Sequence, residues 1–277
     1  DIPIYVASDS CDIWSNHEQY LLDEEWKPTF VAGCPPDAFS EDGQKWGNPL
    51  YDWDAMEEDD FAWWRMRMKA SASLYDIIRI DHFIGIVRYY KIPADESAKE
   101  GMYHAGPGMK LLQAIDESIG ETKIIAENLG VLTEEVEQVL DESGYPGMKV
   151  LEFAFDGNTR NFYLPHMYDN ANCILYGGTH DNDTLKEYVD NLSDHSKKYA
   201  MDYIGISNEE ELVDGILRMG YASVADTVIY QMQDILKKDG SARMNFPSKT
   251  GTNWRWRMQK GEFTKEIQEK LKKYVFV

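Results

Sequence analysis

The chain has 277 residues, 43% of them hydrophobic, so it is long enough and apolar enough to build a buried core. Its formal net charge of -21 disfavours nucleic acid and anionic membrane surfaces as partners. No apolar run approaches the roughly 18 residues that a membrane-spanning helix requires. A neutral ligand is indifferent to this charge. The 8 tryptophans and 17 tyrosines either fill the core or provide flat faces on which sugars stack.

The cysteines are odd in number and widely spaced, at Cys11, Cys34 and Cys173. No CxxC pair is present, so the sequence predicts neither a disulfide framework nor a zinc site, and a reducing cytoplasm is favoured. His180 and Asp181 are adjacent and resemble a metal pair, but no second histidine stands at helical spacing. We therefore expect no metal and no cofactor.

The first half of the chain begins with a predicted strand over 2–7, which reads as a strand already under way, so we expect the chain to begin partway through a larger protein. Residues 8–50 are rich in turn signals and poor in regular pattern. An ordered stretch of this length without secondary structure is usually functional. Helix formers with an apolar stripe at Phe61, Trp64 and Met68 then predict a core-packing helix over 61–73.

Strand and helix patterns alternate through the rest of the chain. The predicted strands cover 74–81, 123–127, 148–155, 171–179 and 226–231. The predicted helices cover 107–119, 133–143, 183–191, 194–204, 209–223 and 262–274. With the first strand this makes six strands in a parallel α/β arrangement. A closed (β/α)8 barrel has eight strands, so we expect only strands 3–8 of such a barrel over residues 1–277, with the N-terminal part missing.

Two of these strands end on a carboxylate, Asp81 and Glu127, and the strand over 171–179 leads to a third, Asp181. Catalytic groups collect at the carboxyl ends of barrel strands, and two carboxylates are the chemical minimum for cleaving a glycosidic bond. Arg79 lies on the same strand face as Asp81 and would keep it ionised, as a nucleophile must be. Glu127 ends an apolar strand, where desolvation raises the pKa of a carboxyl and suits it to donate a proton. The alternative is that these acids cap helices or bind arginine structurally.

Several motifs in the expected order make the chain similar to the amylomaltase type of 4-α-glucanotransferase, glycoside hydrolase family 77 of the α-amylase superfamily. The short motifs common to the superfamily are DIPIYV at 1–6, RIDHF at 79–83, AENLG at 126–130 and THDND at 179–183. The longer motifs, which are specific to amylomaltases, are VAGCPPD at 31–37, QKWGNPLYDW at 44–53, PGMKV at 146–150 and YLPH at 163–166. The resemblance extends along nearly the whole chain.

This resemblance implies that maltooligosaccharides and glucans derived from starch or glycogen are the partners, and that α-1,4-glucan segments move between them with retention. It implies Asp81 as nucleophile, Glu127 as general acid/base and Asp181 as stabiliser of the distorted sugar. Residues 8–53 match a long loop on the acceptor side of the active site. The supporting sugar-binding positions are Asp1, Trp46, Asn48, Tyr51, Arg79, His82, Asn128, His180, Asn182 and Asn245.

The sequence departs from the family pattern in three places. Asn128 stands where aspartate is usual, which we expect to tune activity without abolishing it. Phe246, Pro247 and Ser248 replace the more usual Thr-Pro-Gly. The first two strands are absent, which would leave donor-side subsites incomplete and a sheet edge open. Two alternatives remain: a hydrolytic relative of the α-amylases, and a glucan-binding fragment without catalytic activity.

Overall fold

The computed structural model describes residues 1–36, 40–247, 249 and 251–275. The chain folds into two compact units, Asp1–Gly147 and Met148–Val277. The predictions that involve Asp37 and Ser248, at the ends of two quoted motifs, lie outside the described residues.

A three-stranded parallel sheet forms the centre of the first unit, in the order β1 (Ile2–Pro3), β4 (Ile77–Asp81), β7 (Lys123–Ala126). Isoleucines dominate these strands, and their branched side chains pack well on a pleated surface. The register pairs Pro3 with Asp81 and Ile80 with Ala126. Asp81 and Glu127 therefore stand at the same end of neighbouring strands.

Six α-helices are described in this unit, and their bounds are α1 Cys11–Ser15, α2 Trp53–Glu58, α3 Ala62–Ala72, α4 Ile84–Val87, α5 Met109–Ile119 and α6 Glu134–Ser143. The predicted stripe on α3 is confirmed, since Trp64 and Met68 are fully buried. Gly144 ends α6 in the left-handed conformation, which glycine adopts without strain. Thr133 occupies the N-cap position, but its side chain makes no capping hydrogen bond.

The expectation that residues 8–50 lack regular structure is wrong. Besides α1, they contribute two strands of a four-stranded antiparallel sheet, in the order β3 (Gln44–Pro49), β2 (Phe30–Cys34), β5 (Arg88–Pro93), β6 (Met102–Ala105). The strand β5, which pairs with β2, begins more than fifty residues after β2 ends, so the turn signals alone resembled a loop. Gly33 is required here, because a Cβ at this position would lie 2.0 Å from the Gln44 carbonyl oxygen.

The second unit contains a three-stranded sheet in the order β10 (Thr227–Ile229), β9 (Cys173–Tyr176), β8 (Gly147–Val150), with β9 and β10 parallel. Its helices are α7 Leu185–Asn191, α8 Asp194–Ile204, α9 Leu212–Tyr221, α10 Met232–Ile235 and α11 Lys265–Val275. Apolar faces of α7, α8 and α9 form its core with side chains that follow β8.

All six predicted strands are present, but each is shorter than the prediction. The first covers only Ile2–Pro3, and the prediction for 148–155 is wrong beyond Val150, where a 3-10 helix begins at Leu151. Residues 74–76 are exposed and lie before the start of β4. The fold is thus α/β with parallel sheets. None of the helices in the described residues combines the length and the apolar character needed to cross a membrane.

Candidate active site

Glu127 follows the last residue of β7 and is held by the turn after β4. One carboxylate oxygen accepts a 2.7 Å hydrogen bond from the His82 backbone N–H, and the other a 2.9 Å bond from the Leu129 N–H. The Glu127 backbone N–H donates to the Ile80 carbonyl. His82 adopts a φ of 53°, a left-handed conformation that non-glycine residues seldom take. This turn points the His82 N–H at the carboxylate and fixes its orientation.

The surroundings of Glu127 favour its protonated form. The residue is 9% exposed. Burial, followed by the negative charge of Asp81, raises the pKa of the Glu127 carboxyl to about 7. The two backbone N–H groups and Arg79 act in the opposite direction but are outweighed. A carboxyl with this pKa can both donate and accept a proton near neutral pH.

Arg79 lies two residues before Asp81 on β4 and engages Asp1. Its Nε and terminal nitrogen donate to the two Asp1 carboxylate oxygens at 2.7 and 2.5 Å, a bidentate pair with a largely buried guanidinium. The structure therefore brings together Asp1, which precedes β1, Arg79 and Asp81 of β4, and Glu127, which follows β7.

Trp46 and His82 were predicted separately, and the structure places them in contact. Their ring centroids are 4.8 Å apart at an interplanar angle of 89°. Burial lowers the pKa of His82 to about 4, so its ring is neutral at pH 7. Trp46 itself stays partly exposed, and β3 carries it to the residues that follow β4.

The other residues of this unit that were predicted to bind sugar use their side chains for hydrogen bonds or packing within the protein. The Asn48 side-chain amide donates to the Val6 carbonyl at 2.9 Å. Asn128 packs on Gly147, where a Cβ would lie 2.7 Å from its amide nitrogen. Tyr51 is only 1% exposed and its hydroxyl donates to the Ile4 carbonyl. Such a side chain supports the core, and we correct its predicted role from sugar contact to packing.

Asp181 lies in a tight turn after β9 in the second unit. The Asn182 side-chain oxygen accepts from both the backbone N–H and the hydroxyl of Thr179, at 2.9 and 2.8 Å. The Thr179 hydroxyl in turn accepts from the Asp181 N–H. Asn182 thus braces the turn, and its oxygen is committed to the protein.

The Asp181 carboxylate is half-exposed, at 42% of its side chain, and has a partner on each oxygen. The Asn245 amide donates to one oxygen at 2.5 Å, and His180 Nε2 lies 3.3 Å from the other. The Asn245 backbone N–H also donates to the His180 carbonyl. These predicted residues therefore form one cluster.

Arg243 was not predicted, and it connects this cluster. Its guanidinium donates to the backbone carbonyls of Asp181 and Asn245 and forms an ion pair with Asp183. The one feature of the sequence that could have indicated Arg243 is its position two residues before the predicted site residue Asn245. A second unpredicted residue is Trp254, a half-exposed side chain whose ring centroid lies 4.9 Å from that of His180.

Two carboxyls with strongly raised pKa values, Glu152 and Asp234, lie near the Asp181 turn. Burial and then the charges of Asp234 and Asp183 raise the pKa of Glu152 to about 9, and burial raises the pKa of Asp234 to about 7. Asp234 is fully buried and accepts from the Leu185 N–H at the start of α7. Among the described residues, no group of three or more His, Cys, Asp and Glu side chains is placed to hold a metal ion.

Comparison with solved structures identifies the class. Amylomaltase from Streptococcus agalactiae in complex with acarbose superposes with a TM-score of 0.93 at 42% identity, covering 99% of this chain and 56% of that one. Amylomaltase from Corynebacterium glutamicum shares the fold, with a TM-score of 0.80 at 17% identity, and covers 98% of this chain and 45% of its own. The fold is therefore that of the amylomaltases.

Sequence comparison then gives the family. The 4-alpha-glucanotransferase of Clostridium butyricum is 47% identical over 274 residues, which is 98% of this chain and 56% of that protein. The enzyme of Thermus thermophilus is 44% identical over 279 residues, with the same coverage. A family model described as 4-alpha-glucanotransferase matches residues 1–264, and the chain belongs to that family. The chain spans about half the length of the curated relatives it matches.

Proposed function

We propose that the protein carrying this chain transfers α-1,4-glucan segments between maltooligosaccharides by retaining double displacement. The observation that carries the proposal is the Glu127 carboxyl, held by two backbone N–H groups beside Asp81 with a pKa of about 7. Membership of the 4-alpha-glucanotransferase family supports the choice of substrate and reaction.

In the first step the Asp81 carboxylate attacks the anomeric carbon while Glu127 donates its proton to the departing sugar oxygen. The glycosidic bond breaks and an ester to Asp81 forms. The charge of Asp81 is now gone, which removes one of the two causes that raise the pKa of Glu127. Glu127 then becomes the better base for the second step, in which an acceptor hydroxyl loses its proton and displaces Asp81.

Asp181 would accept hydrogen bonds from hydroxyls of the distorted sugar, with His180 and Asn245 fixing its two oxygens. Asp1 and Arg79 would complete the sugar contacts beside Asp81. Asn182 and Asn48 would act by bracing backbone, since their side chains already bond within the protein. Asn128 would act through its packing against Gly147.

Trp46 would stack on an acceptor glucose, backed by the neutral ring of His82. Residues 8–53 would form the acceptor side, excluding water so that a sugar intercepts the covalent intermediate. Transfer would then outcompete hydrolysis.

We propose further that both parallel sheets belong to one (β/α)8 barrel of which this chain supplies strands 3–8. Barrel enzymes place their chemistry at the carboxyl ends of the strands, which is where Asp81, Glu127 and Asp181 stand in the sequence of elements. Starch- or glycogen-derived glucans would be the natural substrates and the cytoplasm the compartment.

A substrate with an activated leaving group tests the role of Asp81 as nucleophile separately from the role of Glu127 as proton donor. Fluoride leaves without protonation, so α-maltosyl fluoride should form the ester in the Glu127→Gln variant even though that variant cannot cleave maltotriose. Intact-mass measurement should then find one added maltosyl group, and peptide mapping should place it on Asp81. With maltotriose, we expect the rate of Glu127→Gln to fall by about 10²–10⁴-fold.

Glu121→Gln is the matched control, because Glu121 is exposed and precedes β7 at its other end. It should retain full transfer activity. An adduct that still forms in Asp81→Asn would overturn the nucleophile assignment. Glucose release from maltotriose without longer products in the unmodified protein would favour hydrolysis over transfer.

A further inference from the structure

We propose that Trp26 and His17 form a second glucan-binding surface in the first unit, separate from the carboxylates at the ends of β4 and β7. The surface rests on the proposed function only for the choice of ligand, a neutral α-glucan chain. It lies in the segment between α1 and β2, in the part of the proposed acceptor side (8–53) that contains none of the predicted site residues.

Trp26 stands in a three-residue hairpin loop between Asp23 and Lys27. The Trp26 N–H donates to the Asp23 carbonyl at 3.0 Å, and the Asp23 N–H donates to the Lys27 carbonyl at 2.9 Å. One Asp23 carboxylate oxygen accepts from the backbone N–H groups of Glu25 and Lys27, at 2.8 and 2.9 Å. These hydrogen bonds close the loop without involving the tryptophan ring.

The backbone at Trp26 favours a different residue. Its φ is 61°, in the left-handed region that the last residue of such a loop adopts and that glycine normally fills. A bulky side chain is strained there. Residues held in such conformations concentrate at functional sites, which makes this tryptophan a candidate for a role outside folding.

The ring of Trp26 is presented as a flat platform. It stacks on the His17 imidazole with centroids 4.4 Å apart and an interplanar angle of 19°. The two rings are similarly accessible, with Trp26 44% exposed as a residue and the His17 side chain also at 44%. A ring supported on one side and open to solvent can receive the apolar C–H face of a glucose unit.

The residues next to His17 and Trp26 in the sequence carry polar groups that can bind sugar hydroxyls. Glu18 neighbours His17, and Glu25 and Lys27 flank Trp26, joined by a 2.6 Å ion pair between their exposed side chains. Carboxylates beside an aromatic face accept hydroxyl hydrogen bonds and repel polyanions. A neutral polyhydroxyl chain fits this chemistry better than a nucleic acid does.

The test is Trp26→Gly in the full-length protein, because glycine relieves the strained backbone while removing the ring. Retardation in native gels containing glycogen should weaken, with the apparent dissociation constant rising about two- to tenfold. The melting temperature should stay equal or rise, because glycine relieves the left-handed backbone at this position. Tyr75→Ala, another exposed aromatic in the same unit, should leave glycogen retardation unchanged.

Glycogen retardation of Trp26→Gly equal to that of the unmodified protein would overturn the surface. A lower melting temperature in this variant would also overturn it, because the ring would then be packing against protein. Absence of maltotriose transfer in the unmodified protein would instead count against the proposed reaction. The two failures are therefore distinguishable.

Discussion

Glu127 and Asp181 each come after a short buried strand, yet their surroundings differ in a way that assigns them different chemistry. Glu127 is buried, binds two backbone N–H groups and has its pKa raised to about 7. Asp181 is half-exposed and is held by two side chains, His180 and Asn245. Solvent access, more than strand position, separates a carboxyl suited to move protons from one suited to bind hydroxyls.

The largest loss of transfer activity should come from replacing the Asp181 or the Glu127 carboxyl by an uncharged amide. Asp181→Asn should lower maltotriose transfer by about 10²–10³-fold, because a donor replaces an acceptor of sugar hydroxyls, with little effect on stability. Glu127→Gln should also lower transfer by about 10²–10⁴-fold, and its effect on the free energy of unfolding should be more favourable at pH 8 than at pH 4. A buried carboxyl whose pKa is raised on folding destabilises the fold above that pKa. Transfer assays and urea denaturation of both variants check the contrast, and equal stability changes would break it.

The buried Asp234 carboxyl should show the same dependence of stability on pH, and it has no proposed part in catalysis. Its pKa is raised from 3.8 to about 7, so its stabilising proton is present below pH 4 and lost as the pH rises through 7. Asp234→Asn keeps the acceptor for the Leu185 N–H and removes the charge. We expect it to raise the free energy of unfolding at pH 8 by roughly 3 kcal/mol and to leave it unchanged at pH 4. No gain at pH 8 would show that Asp234 is not desolvated.

Arg243 tests how the Asp181 turn is held. Arg243→Met removes the ion pair with Asp183 and two hydrogen bonds to backbone carbonyls. We expect a loss of about 2 kcal/mol of stability, together with a higher KM for maltotriose. Arg243→Lys should recover only part of both, since lysine lacks the planar fork that reaches three acceptors. Full recovery by lysine would mean that charge alone matters.

The smallest predicted change is a shift in the pKa of His82, produced by replacing Trp46, whose ring covers part of the imidazole. Trp46→Leu should expose the imidazole and move the pKa of His82 upward from about 4, by about one unit or less. Histidine resonances followed by NMR against pH measure this directly. An unchanged value would assign the desolvation of His82 to other neighbours.

The residues that could be predicted from the sequence are those whose position depends on the pattern of their immediate neighbours in the chain. The strands ending at Asp81 and Glu127 were predictable because short isoleucine runs precede each acid, and the family motifs separated their roles. Arg243 was missed because its value depends on contacts with residues about sixty positions away. The antiparallel sheet was missed for the same reason, since β2 pairs with β5 across a long sequence separation. Tyr51 lies in a quoted motif, but only packing shows that it is buried.

Titration of the Glu127 carboxyl is the most direct test. Infrared difference spectra between the unmodified protein and Glu127→Gln, recorded across pH 3–10, isolate the carboxyl band of this one residue. The structure predicts a midpoint near 7 that falls when Asp81→Asn removes the neighbouring charge but stays above 4.5, because burial is the larger cause of the raised pKa. A midpoint near 4.5 in the unmodified protein would contradict the assignment of Glu127 as the group that donates and accepts the proton.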